Sequence, residues 1–518
     1  MLASHRAEAQ DERPRVDAVR VDEVVFAGFD VLPADQLAAI RANAALQPGK
    51  PFDRADVEQT ARQAVTALWN AGYAHARVDV LEMMVAPDRV RTEIRAEPGL
   101  QDVFGRIDIA GNVTISDVVI RRQLTYLPGQ LFRVAPLEDS RRRLERLGLF
   151  ESVEIKIVDP ARSPVETLVV VKEGDHSKFM YAFGYGSEEG VYGEVGWRHL
   201  NVLGGARTIS TRGRWSWLDR GGEAAFVQPY LFQTPLTLTL RGQVWQLDEV
   251  PFEALSRGGR AGVSADVGRT TFSATYVQEH DRVQLPAGAV DDAVSQAQLA
   301  KLGLDVTRGV QQGVLSALEF GATRDTSVES GGVMRGSRAA VRVEQAGGWL
   351  PGSFDYVSVL GDTRYYRGVG RLTLAGRMQY GSIADMGGRS DVPFSKRYFL
   401  GGSDTLRGWG RLEVSPLSAA GLPIGGQSHA AASGELRLPV IGPLGAVAFV
   451  DAGNVWEKAW TLSSRLHADG GLGVRSRSPF GLLRFDVAWQ FTTVQGLRID
   501  GQARTRQWRV HAGLGHAF

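Results

Sequence analysis

Residues 483–491 read LRFDVAWQF, and their alternation sets the fold class. Leu483, Phe485, Val487, Trp489 and Phe491 share one face of an extended chain, with Arg484, Asp486 and Gln490 on the other, because successive strand side chains point to opposite sides. The same period of two places Leu236, Leu238 and Leu240 against Thr237, Thr239 and Arg241. It also places Leu372, Leu374 and Met378 against Arg371, Thr373 and Arg377. A soluble sandwich would alternate too. Three features point instead to a membrane barrel: segments of about ten residues or more, a run of about 340 residues without a helical pattern, and Trp, Phe and Tyr toward the ends of the apolar faces. The expectation is a transmembrane β-barrel with a polar lumen over residues 175–518. About seventeen candidate strands can be drawn where an even number is required. Leu302–Val306 and Leu315–Ala322 compete for one of them, so sixteen antiparallel strands are expected.

Upstream, the pattern is different and occurs twice. Val21–Phe26 reads as a strand ending at Ala27-Gly28, followed by a helix and Pro48-Gly49-Lys50-Pro51-Phe52. Asp53 then caps a helix with Val57, Ala61, Ala64 and Leu68 on one face, Gly72 ends it, and Ala76, Val78 and Val80 alternate. The second copy repeats the order: Ile109-Ala110-Gly111, then Pro128–Phe132, then a helix with Leu137, Leu144 and Leu147 inward and Gly148 at its end. Val153, Ile155 and Ile157 alternate next, and Thr167–Val171 leads to Glu173-Gly174. Two α+β modules of β-α-α-β-β order are expected at 20–99 and 100–174, after a flexible tail at 1–19.

Composition removes several function classes. A net charge of +1 gives no field for nucleic acid. The absence of cysteine excludes disulfides and thiolate metal sites. No run of 18 apolar residues supplies a membrane helix, which leaves a barrel open because barrel strands average to mild hydropathy. Met1–Val16 is polar and charged, so either the chain stays in the cytoplasm or its export signal lies outside this sequence. GYGSEEG (184–190) lacks the glycine spacing and following helix of a phosphate loop. The nine histidines are scattered, and Glu188-Glu189 and Asp291-Asp292 read as solvated loop acids. No catalytic, cofactor or metal site is expected.

With these pieces assembled, the chain resembles the outer-membrane protein assembly and translocation superfamily, in its BamA/TamA-like branch. The two modules look like POTRA (polypeptide transport-associated) domains. KRYFLGGSDTLRGWG (396–410) looks like the family's characteristic loop, with Leu406-Arg407-Gly408-Trp409 where Val-Arg-Gly-Tyr or Phe is usual. GELRLPV (434–440), FVDAGNVW (449–456) and GLGVRSRSPFGLLRFDVAW (471–489) look like the strands that follow it. Parity then assigns partners. Ala446, Ala448, Val450 and Ala452 face lipid, so Asp451 points into the lumen; Leu436 and Leu438 likewise turn Glu435 inward. The long loop 382–429 can fold back inside, and a guanidinium pairs with a carboxylate through a two-pronged geometry that lysine lacks. Arg407 is therefore expected on Asp451 with Glu435 beside it, Gly401, Gly402 and Gly408 permitting the bend, and Trp409 wedging the loop. Trp508, Val510, Ala512, Leu514 and Phe518 are read as one outward face of the closing strand, with Gly513 and Gly515 weakening its pairing at the seam.

The resemblance implies an outer-membrane location in a Gram-negative bacterium, with periplasmic modules offering strand edges to unfolded outer-membrane or secreted clients. It implies the lipid bilayer as a partner and a TamB-like periplasmic protein as an accessory. The competing expectation is a two-partner secretion transporter, which the pair of modules suits, although no plug helix or Pro-rich linker is evident in residues 1–20. A passive porin would not need the modules.

Overall fold

The computed structural model describes residues 19–518 apart from 160–161, 287–292, 331, 388–391, 480, 500–501, 504, 506 and 515. The tail at 1–18, Asp291-Asp292 and Gly515 thus lie outside the described residues. Contacts divide the chain into two units, the first running to Asp175 and the second beginning at His176.

The first unit holds two modules of one design. Module one comprises β1 (Arg20–Ala27), α1 (Ala34–Asn43), α2 (Arg54–Asn70), β2 (Arg77–Ala86) and β3 (Arg89–Glu97). Module two comprises β4 (Phe104–Ala110), α3 (Asp117–Arg121), α4 (Val134–Arg146), β5 (Phe150–Ile157) and β6 (Val165–Glu173). Each sheet places its third strand in the middle, parallel to the first and antiparallel to the second: β1-β3-β2 and β4-β6-β5. Gly28 and Gly111 occupy equivalent positions with φ of +79° and +89°. A Cβ there would lie 2.2 Å from the Ala96 carbonyl oxygen or 2.0 Å from that of Val171, so the first strand leaves the sheet across the central strand's backbone only at glycine.

Helix α2 begins where Asp53 accepts the Ala55 amide at 2.8 Å. Its buried face is Val57, Thr60, Ala64 and Leu68. Thr60 rather than Ala61 is buried because its hydroxyl is satisfied, donating to the Asp56 carbonyl at 2.8 Å and accepting the Leu46 amide at 3.0 Å. Between the modules, Asp102 accepts from Ser163 Oγ and meets His75 Nε2, both at 3.0 Å. β2 lies at a sheet edge and leaves Leu81, Met83, Met84 and Val85 exposed.

The second unit is a barrel of sixteen wall strands among the described residues, running antiparallel from Ser177–Gly186 to Trp508–Leu514. Two short features, Val328–Ser330 and the antiparallel pair Arg498–Ile499 with Gln502–Ala503, do not add to the wall. The competition between Leu302–Val306 and Leu315–Ala322 resolves in favour of the second, inside a 16-residue strand, Val310–Asp325. The stretch before it corrects the expectation of an uninterrupted run of strands. Ala293–Lys301 is a helix, α5, whose Leu299 packs with Phe252, Val283, Leu304, Phe394 and Ile424. A helix fits there because it belongs to a connection above the wall and buries one apolar stripe on strand ends (Phe252, Val283) and loop residues (Phe394, Ile424).

Candidate functional site

Two strands of opposite direction, Leu372–Asp385 and Ser428–Ile441, are joined by a loop over 386–427 that enters the lumen. Strand parity explains where it is caught. In the ladder, Ser433 stands opposite Asp451 and Asp451 opposite Asp469, all on the inner face with Glu435 and Asp486. The loop delivers one buried cation to these acids. Arg407 Nε donates to Asp451 Oδ2 at 2.7 Å and Nη2 to Oδ1 at 2.8 Å, while Nη1 donates to Glu435 Oε1 at 2.6 Å. Asp486 lies 3.7 Å from Nη1, and the guanidinium carbon sits 3.4 Å from the centre of the Phe449 ring. Arg407 is 1% exposed, and Asp451 and Asp486 are 0% exposed. For Asp451, Glu435 and Asp486 such burial is tolerable because each charge is met: Arg437 Nε donates to Glu435 Oε2 at 2.7 Å and Arg475 Nη1 to Asp486 Oδ1 at 2.6 Å. The equally buried Asp469, by contrast, has no cation bonded to it among the described residues.

Flanking residues fix the loop's path. A Cβ on Gly408 would come within 2.6 Å of Asp469 Cβ, so the backbone can approach that wall only without a side chain. Gln490 Nε2 donates to the Gly408 carbonyl at 2.7 Å. Trp409 is buried with Leu400, Leu406, Val414 and Val455 and meets the His467 ring edge-on. Of the other inner arginines, Arg377 bonds to Asp362 and Arg484 reaches Asp404, while Arg371 lies in a turn.

The same loop touches both sides of the seam. Ser403 N–H and Oγ donate to Glu188 in the turn after the first strand, at 2.8 and 3.1 Å. On the closing strand, His511 Nε2 donates to the Arg407 carbonyl at 2.8 Å and Arg509 Nη2 to Glu413 at 2.6 Å. Direct contact across the seam is thin: Ser187 N–H donates to the Ala512 carbonyl at 2.9 Å, and Ser187 Oγ accepts the Ala512 amide at 3.2 Å. Glu188 and Glu189 are thus not merely solvated, since Glu189 is paired with Arg214. Sequence reasoning missed Glu188, His511 and Arg509. Parity turns the last two inward, but an aperiodic loop gives no signal for what they meet.

The closing strand also departs from expectation. It ends at Leu514, and Phe518 is not on the outward face with Trp508 and Val510. Ala517 and Phe518 are buried against Tyr366 and Ala375 on the inner face, and Arg437 Nη2 donates to the Phe518 carbonyl at 3.0 Å with its guanidinium 5.2 Å from the ring. An inward cation that binds both a carbonyl and a ring face outweighs the pull of lipid on one aromatic side chain. Gly513 lies in the strand, and the nearest atom to a Cβ there would be Arg484 Nη2 at 3.8 Å.

Comparison with known proteins gives a consistent result. The family model for the Omp85 superfamily domain matches residues 201–518. The POTRA model, described as a surface antigen variable number repeat, matches 19–95 and 103–174. Outer membrane protein assembly factor BamA of Neisseria meningitidis serogroup B is 25% identical over 450 residues, covering 82% of this chain and 56% of the relative. The protein of the same name from Nitratidesulfovibrio vulgaris is 25% identical over 479 residues, 88% of this chain and 57% of the relative. The chain therefore spans little more than half the length of these curated relatives. Among solved structures, BamA from Haemophilus ducreyi lacking POTRA domains 1–3 superposes with a TM-score of 0.76 at 19% identity, covering 96% of this chain and 99% of that one. CdiB from Acinetobacter baumannii gives 0.50 at 13% identity, covering 98% and 94%.

Proposed function

This chain belongs to the Omp85 superfamily and resides in the outer membrane with its POTRA modules in the periplasm, and on that premise we propose that it is a non-enzymatic assembly factor. It receives unfolded barrel or autotransporter clients on the modules and passes them to the barrel seam. The observation that carries the reading is the thinness of that seam. The barrel closes with Ser177–Gly186 beside Trp508–Leu514, but among the described residues the bonds seen between the two sides are those of Ser187 with Ala512, and a thinly bonded edge is a template for an incoming strand. Main-chain bonding places little demand on client sequence, which suits a general receptor. The exposed edge of β2, with Met83 and Met84 beside it, supports the same mode of capture in the periplasm.

In this reading Arg407 is structural. It anchors the loop, and the loop in turn braces the barrel where the wall is weakest. Secretion of one exoprotein through the lumen is the alternative, but the loop and its ion network occupy that lumen at Arg407. The number of modules present does not favour the transporter, because the chain spans only 56–57% of its assembly-factor relatives. A TamB-like accessory belongs to the assembly reading and would co-purify through the modules.

The test uses the absence of native cysteine. Ser187→Cys with Ala512→Cys places one disulfide across the seam. In liposomes the oxidised pair should fail to fold a client barrel and recover on reduction. Undiminished client folding by the oxidised protein would refute seam templating. Secretion of a soluble exoprotein through the oxidised barrel would establish the alternative.

A further inference from the structure

Several arginines on the inner face of the barrel are met by acids, yet one sector of the outer face carries arginines that are not. On Phe252–Val267, the inward Arg260 donates to Glu279 at 2.6 Å. Three residues earlier, Arg257 points outward in the same row as Val244 and His280. One row above, Arg282 stands outward beside Leu255. Arg257 and Arg282 are exposed, and among the described residues neither has a carboxylate partner. Diagonal cross-strand neighbours lie roughly 7–8 Å apart, so two cations are held close on a surface bordering apolar medium. On the next row above, Glu253 is outward and is the other diagonal neighbour of Arg282, while Arg257 has no adjacent acid, so the cluster keeps a net positive charge that an anion from outside can meet.

Their height indicates which anion. Below them, past a row holding Gln278 and Ser316, the same face is apolar through Leu240, Val263 and Tyr276 down to Val267. Ten residues separate Val267 from Arg257; at about 3.3 Å rise and roughly 40° tilt this is about 25 Å, the height of a barrel's lipid-facing band. Arg257 and Arg282 thus sit at the outer-leaflet headgroup level, with Val244 and Leu255 interleaved to meet acyl chains. The outward faces of the strands from Leu372 to the closing strand carry Tyr380, Ala430, Asn454, Ala468 and Trp489 toward that level, with no cation among them.

We propose that the outer face at Arg257, His280 and Arg282 is a binding site for the phosphorylated sugar headgroup of an outer-leaflet glycolipid. A guanidinium pair matches a phosphate through parallel N–H bonds, and the imidazole of His280 adds a third polar contact. The site lies away from the seam, so it would orient the barrel's thick wall in the outer leaflet without obstructing client entry. The proposal does not depend on the assembly reading.

The test is binding of bisphosphorylated lipid A to the purified full chain in detergent, compared with the same lipid after dephosphorylation. Preference for the phosphorylated form should be about tenfold or more, the equivalent of one charge-assisted contact. Arg257→Glu with Arg282→Glu should abolish it, and Arg257→Lys with Arg282→Lys should retain much of it. Arg324→Ala, outward at the other end of the same wall, should leave it intact. Heat-modified migration on gels confirms that each variant is folded, and all five substitutions are at exposed positions. Equal binding of the two lipids, or a preference unchanged by charge reversal, would overturn the proposal. So would full competition by inorganic phosphate, which would make this a site for a soluble anion.

Discussion

The wall from Leu236 to Asp325 and the seam between Ser177–Gly186 and Trp508–Leu514 obey one alternating code but are held together by different means. In the wall, Phe252–Val267 and Thr270–Gln284 pair without a break from Glu253↔Gln284 to Val267↔Thr270. At the seam, among the described residues, the closing strand pairs from Leu483↔Leu514 to Trp489↔Trp508 with its predecessor and reaches the first strand's turn through Ser187. Backbone bonds run unbroken along the wall. At the seam, side chains and backbone of the folded-back loop contact both flanking segments, Glu188 on one side and Arg509 and His511 on the other. A barrel built this way can open at one place without losing its wall, provided that the loop stays anchored.

Several substitutions would break or sharpen that contrast. The largest effect is expected from Arg407→Ala, which leaves Asp451 buried without its cation and Glu435 with Arg437 alone. Loss of one partner from a buried pair costs about 3–5 kcal/mol, read as a lower unfolding midpoint. Arg407→Lys should recover only part, since an ammonium cannot span Asp451 and Glu435 together. Glu188→Ala should follow, at about 1–2 kcal/mol for lost charge-assisted bonds to Ser403. Faster amide exchange in Ser177–Gly186 with Thr270–Gln284 unchanged would locate that loss at the seam. Gly513→Ala should change stability by under about 1 kcal/mol, because no atom lies closer than 3.8 Å to the added methyl group.

Glu173→Gln provides the smallest effect on the barrel and a control outside it. Burial is the largest single influence on Glu173 and raises its pKa, but hydrogen bonds from the Thr114 hydroxyl and the amides of Ile115, Val113 and Thr114 together outweigh it and lower the pKa from 4.5 to about 2. A depressed folded-state pKa contributes stability above the unfolded value that is lost as pH falls through the folded one. Glu173→Gln should therefore loosen the Val113–Ile115 turn at pH 7, and the difference from the parent should vanish between about pH 4.5 and 2. Both wall and seam should exchange as before.

Much of this was legible in the residues. Period-two alternation located the wall, and parity turned Asp451, Glu435 and Asp486 toward a common interior. The repeat of strand, helix and glycine at Gly28 and Gly111 marked two modules of one design. Three features escaped for physical reasons. Helix α5 has a weak apolar stripe and gains its burial from distant loop residues such as Phe394 and Ile424. Phe518 continues the outward pattern in sequence, but three-dimensional contact with Arg437 draws it inside. Glu188 reads as a solvated acid because Ser403, its partner, is 215 residues away.

The central claim is that a loop anchored by Arg407 holds a seam that its own backbone does not. Hydrogen exchange on the full chain in detergent, parent against Arg407→Ala, tests it most directly. Amides of Ser177–Gly186 and Trp508–Leu514 should exchange much faster in the variant while those of Thr270–Gln284 stay protected. Equal acceleration in wall and seam, or none in either, would contradict the account.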